Sequence, residues 1–71
     1  MVAAEHYFGE NAGAVWRALR EKGPLSAAQL KRVSKLSPAE LYSGLGWLAR
    51  ENKVKIEGEK ALQYKFSLNG E

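Results

Sequence analysis

The sequence predicts a mainly α fold, a three-helix bundle closed by a small β-hairpin, and three observations carry that prediction. Two serine-headed helix starts, Ser26-Ala27-Ala28-Gln29 and Ser37-Pro38-Ala39-Glu40, lie eleven residues apart. The turn between the helices they open is about three residues, Ser34-Lys35-Leu36, too short for a linker. After the last helix, Lys53-Val54-Lys55-Ile56-Glu57 and Leu62-Gln63-Tyr64-Lys65-Phe66-Ser67-Leu68 alternate polar and apolar residues on either side of a Gly58-Glu59-Lys60 tip. A period of two flanking a glycine-bearing tip is the pattern of a hairpin with one buried face.

The elements follow in order. Asn11 is the expected N-cap of a helix over about 11–22, where Ala12, Val15, Trp16 and Leu19 fall at helical spacing on one stripe. Tyr7 and Phe8, ahead of it, are expected to pack back onto the domain. Gly23 ends this helix and Pro24 prevents its resumption. Pro24-Leu25 suits a very short extended segment. Ser26 then caps a second helix over 26–33, with Ala27, Leu30 and Val33 on its inner face, and Leu36 plugs the turn. In the third helix, 38–51, Ser37 accepts from the Glu40 amide, Glu40 reaches back to the Ser37 amide, and Pro38 occupies the first helical position. That helix buries Leu41, Leu45 and Leu48, and Asn52 is a left-handed residue at its end. The expected core is Val15, Trp16, Leu19, Leu30, Leu36, Leu41, Leu45, Leu48, Val54, Ile56, Tyr64 and Phe66, in one domain spanning 1–71 with its body over about 11–68.

Composition narrows the function classes. With 71 residues the core is small. Cysteine is absent, which removes thiolate metal sites and thiol redox chemistry. There is neither a membrane-length apolar run nor a signal-peptide profile, so the expected location is the cytoplasm, with no membrane partner. His6 has no ligand-spaced companions, Ser26 and Ser37 are spent as caps, and Gly44-Leu45-Gly46 lies inside a helix instead of at a phosphate-binding turn. No enzyme, metal, cofactor or small-molecule substrate is expected. The net charge of +3 suits nucleic acid. Its placement says more: Lys31, Arg32 and Lys35 flank the short turn, and Lys53, Lys55, Lys60 and Lys65 decorate the hairpin. The third helix carries only Arg50 against Glu40 and Glu51.

Leu25, Ser26, Leu30, Leu36, Ser37, Leu41, Leu45, Leu48, Asn52 and Val54 follow the rhythm of the winged helix-turn-helix superfamily, which the chain resembles from about Asn11 to Leu68. The run Glu40-Leu41-Tyr42, with Gly44-Leu45-Gly46-Trp47-Leu48-Ala49-Arg50-Glu51, is similar to a group of short, stand-alone bacterial winged-helix proteins of unknown function. The resemblance implies that the third helix enters a DNA major groove and that the hairpin meets phosphates or the minor groove. Carried onto this chain, the exposed face of that helix is Ala39, Ser43, Trp47 and Arg50, with Glu40 and Gly44 beside it. The implied footprint on double-stranded DNA is Lys35, Ser43, Trp47, Arg50, Lys55 and Lys60, in a transcription-related role. Base readout favours Arg, Lys, Asn or Gln, and here Arg50 alone fits. Phosphate contacts are therefore expected to dominate.

The same face supports a second expectation, a protein-interaction or homodimerisation module, with Tyr42 and Trp47 as its interface. Trp47 lies off the leucine stripe, so it is either covered by the wing or the N-terminal segment, or held out as a partner anchor. Gly44 and Gly46 either admit a neighbouring helix or let a partner approach.

Overall fold

The computed structural model describes residues 2–60 and 63–70. The chain runs α1 (Ala4–Lys22), β1 (Leu25–Ser26), α2 (Ala27–Ser34), α3 (Pro38–Arg50), β2 (Val54–Glu57) and β3 (Lys65–Leu68). Both capping boxes form. Ser26 Oγ accepts from the Gln29 amide at 3.2 Å while the Ser26 amide donates to Gln29 Oε1 at 2.8 Å. Ser37 Oγ accepts from the Glu40 amide at 3.2 Å and the Ser37 amide donates to Glu40 Oε1 at 2.9 Å. Gly23 closes α1 with φ 79°, and its backbone N–H donates a hydrogen bond to the Leu19 carbonyl at 2.8 Å.

The sheet is three-stranded and antiparallel, in the order β1-β3-β2. The short extended segment after Pro24 is its third strand, with Leu25 opposite Phe66 and Ser26 opposite Lys65. On the other side of β3, Val54 faces Leu68, Lys55 faces Ser67, Ile56 faces Phe66 and Glu57 faces Lys65. Asn52 takes φ 59°, as its residue type favours, and reverses the chain into β2. Asn69 holds that corner, its Nδ2 donating to Asn52 Oδ1 at 3.1 Å and its amide to the Lys53 carbonyl at 2.9 Å.

The core gathers Val15, Leu19, Leu30, Leu41, Leu45, Leu48, Val54 and Phe66 as expected, and also Ala12, Ala18, Leu25 and Leu68. Trp16 and Leu36 are partly buried against it, and Tyr64 is half-buried.

Four expectations are corrected. First, α1 starts at Ala4, and Asn11 is not its cap but a buried mid-helix residue. Ala3, the true N-cap, makes no side-chain capping bond, so nothing in its residue type marks the start. Second, Tyr7 and Phe8 do not fold back; they ride the first turns of α1, exposed and edge-to-face at 5.3 Å between ring centroids. Third, Ile56 is 55% exposed although its alternation points inward, because it lines an open groove between the wing and α3 instead of a closed core. Fourth, Val33 is exposed, since α2 buries only Leu30 fully. The expected strand over 62–68 is described only from Gln63, and β3 occupies Lys65–Leu68; Leu62 lies outside the described residues.

Candidate nucleic-acid interface

The helix-turn-helix is built by α2, a three-residue turn and α3. Lys35 ends α2 in the left-handed region at φ 62°, its amide bonded to the Lys31 carbonyl at 3.0 Å. The Leu36 amide then donates to Ser34 Oγ at 3.3 Å, and Ser37 starts α3. This tight reversal leaves Lys31, Arg32 and Lys35 exposed beside the N-terminus of α3.

One side of α3 faces α1. Gly44 is buried there, and a Cβ at that position would lie 2.6 Å from the Asn11 carbonyl oxygen and 2.8 Å from its carbon. Of the two readings of Gly44, the neighbouring helix is therefore the one realised. Trp47 lies toward the same side. It is half-buried, packed against the core, and borders a cleft with Gly9, Ala12, Gly13, Trp16 and Arg17. It is covered neither by the wing nor by a folded-back N-terminus; the small residues of α1 form its floor. Trp16 carries the Arg20 guanidinium 5.3 Å above its ring.

The outward side of α3 carries Ala39, Tyr42, Gly46, Ala49 and Arg50, all exposed. Tyr42 is 57% exposed, and a Cβ on Gly46 would meet nothing within 4 Å. Ser43 is half-buried and turns its hydroxyl back to the Ala39 carbonyl at 2.7 Å, so its donor is already engaged by its own helix. At the start of the helix, the amide and hydroxyl of Ser37 hold the Glu40 carboxylate below its ordinary pKa of 4.5. That charge is committed to the helix cap.

The wing divides the remaining cations. Val54, Ile56, Phe66 and Leu68 share one face of the sheet by register, and Lys55, Glu57, Lys65 and Ser67 share the other. Lys55 sits 3.8 Å from Glu57 and borders a cleft with Arg20, Gly23 and Pro24 at the C-terminal end of α1. It is thus on the opposite sheet face from Ile56 and is not brought together with Ser43 and Arg50. Lys60 is exposed at the wing tip. Lys53 pairs with Glu51 at 3.6 Å.

An apolar groove that sequence reading missed lies between α3 and the wing, lined by Tyr42, Leu45, Gly46, Ala49, Val54, Ile56 and Phe66. Its only sequence signal is Ile56, an inward-phased residue that the structure leaves exposed. No group of histidine, cysteine and acidic side chains able to hold a metal ion occurs among the described residues. None of their helices is long and apolar enough to cross a membrane.

Residues 3–66 match the family model described as "Winged helix-turn-helix domain (DUF2582)". The fold also superposes on a solution NMR structure of a Bacteroides thetaiotaomicron protein with a TM-score of 0.83 at 38% identity, covering 96% of this chain and 82% of that one. Among curated proteins none gives a significant match. The resemblance carried by the capped helices, the short turn and the hairpin thus holds across nearly the whole chain, and the chain belongs to the DUF2582 family of winged helix-turn-helix domains.

Proposed function

We propose that this domain binds duplex DNA, in a transcription-related role, through phosphate contacts and with little reading of base sequence. The supporting observation is the outward face of α3. Ala39, Gly46 and Ala49 keep most of it low, with Tyr42 standing out from it, while exposed cations flank it: Lys31, Arg32 and Lys35 before its start, Arg50 at its end and Lys60 on the wing tip. Such a face can approach a groove closely while the cations meet the backbone, which fixes position without specifying bases. Relative to the footprint expected from sequence, Lys35, Arg50 and Lys60 remain. Ser43, Trp47 and Lys55 drop out for the reasons of geometry given above. The domain is read as a binding module and not an enzyme: Ser26, Ser37 and Glu40 are occupied as helix caps. Titration of generic duplex DNA against the protein at two salt concentrations tests the proposal. Steeply salt-dependent binding supports it, and no binding at low salt removes it.

A second reading, self-association or a protein partner, is favoured by one specific observation. Tyr42 and Ile56 stand 57% and 55% exposed at the groove between α3 and the wing. Of the interface expected from sequence, Tyr42 fits this reading, whereas Trp47 faces α1.

A further inference from the structure

The sheet order leaves β2 as an edge strand: β3 holds one side of it, and among the described residues no backbone group pairs with Val54–Glu57 on the other. Lys55, Ile56 and Glu57 are all exposed. An open edge of this kind templates a further strand unless charge or shape forbids it, and lysines on an edge ordinarily forbid it. Here the charges do the opposite. The strand and its extensions read Lys53-Val54-Lys55-Ile56-Glu57-Gly58-Glu59, with cations on one side of Ile56 and anions at the mirror positions on the other. In an antiparallel pairing of two copies about a two-fold axis through Ile56, Lys55 lies opposite Glu57 of the second copy within the strand itself, and this pair occurs twice.

We infer that β2 is a homodimerisation edge, at which two copies pair antiparallel about Ile56 to join their three-stranded sheets into one of six strands. The two Ile56 side chains then meet directly across the axis, on the face that also carries the groove beside Tyr42. Directly opposed residues are the closest cross-strand contacts in an antiparallel pair. On the other face, Lys55 and Glu57 are already 3.8 Å apart within one strand. The pairing extends them into a four-residue cluster of alternating sign. The neighbouring register, centred on Lys55, sets Lys55 against itself while Ile56 still meets an apolar partner, Val54 of the second copy, so it is charge that selects the alignment about Ile56. The inference goes beyond DNA binding. It rests on the self-association reading, to which it assigns a surface and a register.

Sedimentation velocity over a concentration series on the intact chain tests it by charge reversal. Lys55→Glu faces Glu57 of the second copy and Glu57→Lys faces its Lys55, so each variant alone should dimerise about tenfold or more weakly than wild type. An equimolar mixture restores both opposite-charge pairs and should recover association to near the wild-type level. Glu57 also accepts from Ser67 Oγ at 3.2 Å, so Glu57→Lys is compared with wild type by circular dichroism. Recovery in the mixture would itself require both variants to be folded. A wild type that stays monomeric at millimolar concentration would refute self-association altogether. A wild-type dimer whose strength neither variant changes, or a mixture no tighter than the variants alone, would refute this edge and register while leaving another dimer surface standing.

Discussion

Gly44 and Gly46 stand two positions apart on one helix and meet opposite surroundings. A methyl at position 44 would collide with backbone atoms of Asn11, which cannot swing aside as a side chain can. Gly44→Ala must therefore push α1 away from α3 and should destabilise the domain by about 1–3 kcal/mol. A methyl at position 46 meets open space, so Gly46→Ala should stabilise it by up to about 1 kcal/mol through helix propensity. Urea denaturation of both variants checks the contrast in sign. Trp47 belongs to the same accounting. Its half-burial against the core and the floor of α1 means that Trp47→Ala should cost about 2 kcal/mol, seen as a lowered melting temperature. An unchanged melt would show that the indole contributes no packing. Asn11 is the residue that the sequence most misrepresents. An asparagine ahead of an apolar stripe reads as a cap, yet the helix continues two turns further and buries the side chain, leaving its Nδ2 without a hydrogen-bond partner.

At the scale of elements, what was legible was local. Caps, the helix-ending Gly23, the left-handed Asn52 and the turn around Leu36 depend on residues within a few positions, so Ser26, Ser37, Gln29 and Glu40 announce them unaided. The illegible features depend on where elements stop relative to one another. α1 begins without a capping side chain, so its first turns gave no signal. Underestimating α1 hid Gly9, part of the surface bordering Trp47. Ile56 has the phase of a core residue, but phase says nothing about whether a helix lies above it. The candidate interface was readable as an inventory of cations and not as a surface, because the side of the sheet on which Lys55 falls is fixed only by its pairing with Ser67.

The cap of α3 also makes a prediction about pH. Hydrogen bonds from the amide and the hydroxyl of Ser37 lower the pKa of Glu40 in the folded chain below its value of 4.5 when unconstrained. Its contribution to stability is therefore fully present above that value and is lost as pH falls through the folded pKa. Thermal melts of wild type and Glu40→Gln should differ at neutral pH and converge on acidification. A difference that grows with acidity would reverse the sign. Ser37→Ala should cost about 1 kcal/mol at neutral pH by removing the acceptor for the Glu40 amide.

For the whole molecule, the distribution of charge matters more than its net value of +3. Lys53 and Lys55 lie beside Glu51 and Glu57, which partly neutralises the body of the wing. Lys31, Arg32, Lys35, Arg50 and Lys60 are distributed around the low outward face of α3. If these five meet phosphates, removing any one should weaken binding to all duplexes alike. Lys35→Ala and Lys60→Ala should each reduce the salt slope by about one. Lys55→Ala should leave the slope nearly unchanged, because Lys55 lies on the far face of the sheet. The β2 edge and the face proposed to meet DNA are adjacent through the groove at Tyr42 and Ile56, so the two proposed activities would be coupled in one small domain.

The most direct test of phosphate-led DNA binding is fluorescence anisotropy of two duplexes of unrelated sequence, each titrated at about 50 and 200 mM salt. Matching affinities are expected for the two duplexes. Between the two salt concentrations each should fall about 10²- to 10³-fold, the magnitude expected when four or five phosphates are neutralised. Absence of binding at the lower salt, or an affinity that holds steady between the two, would contradict phosphate-led binding.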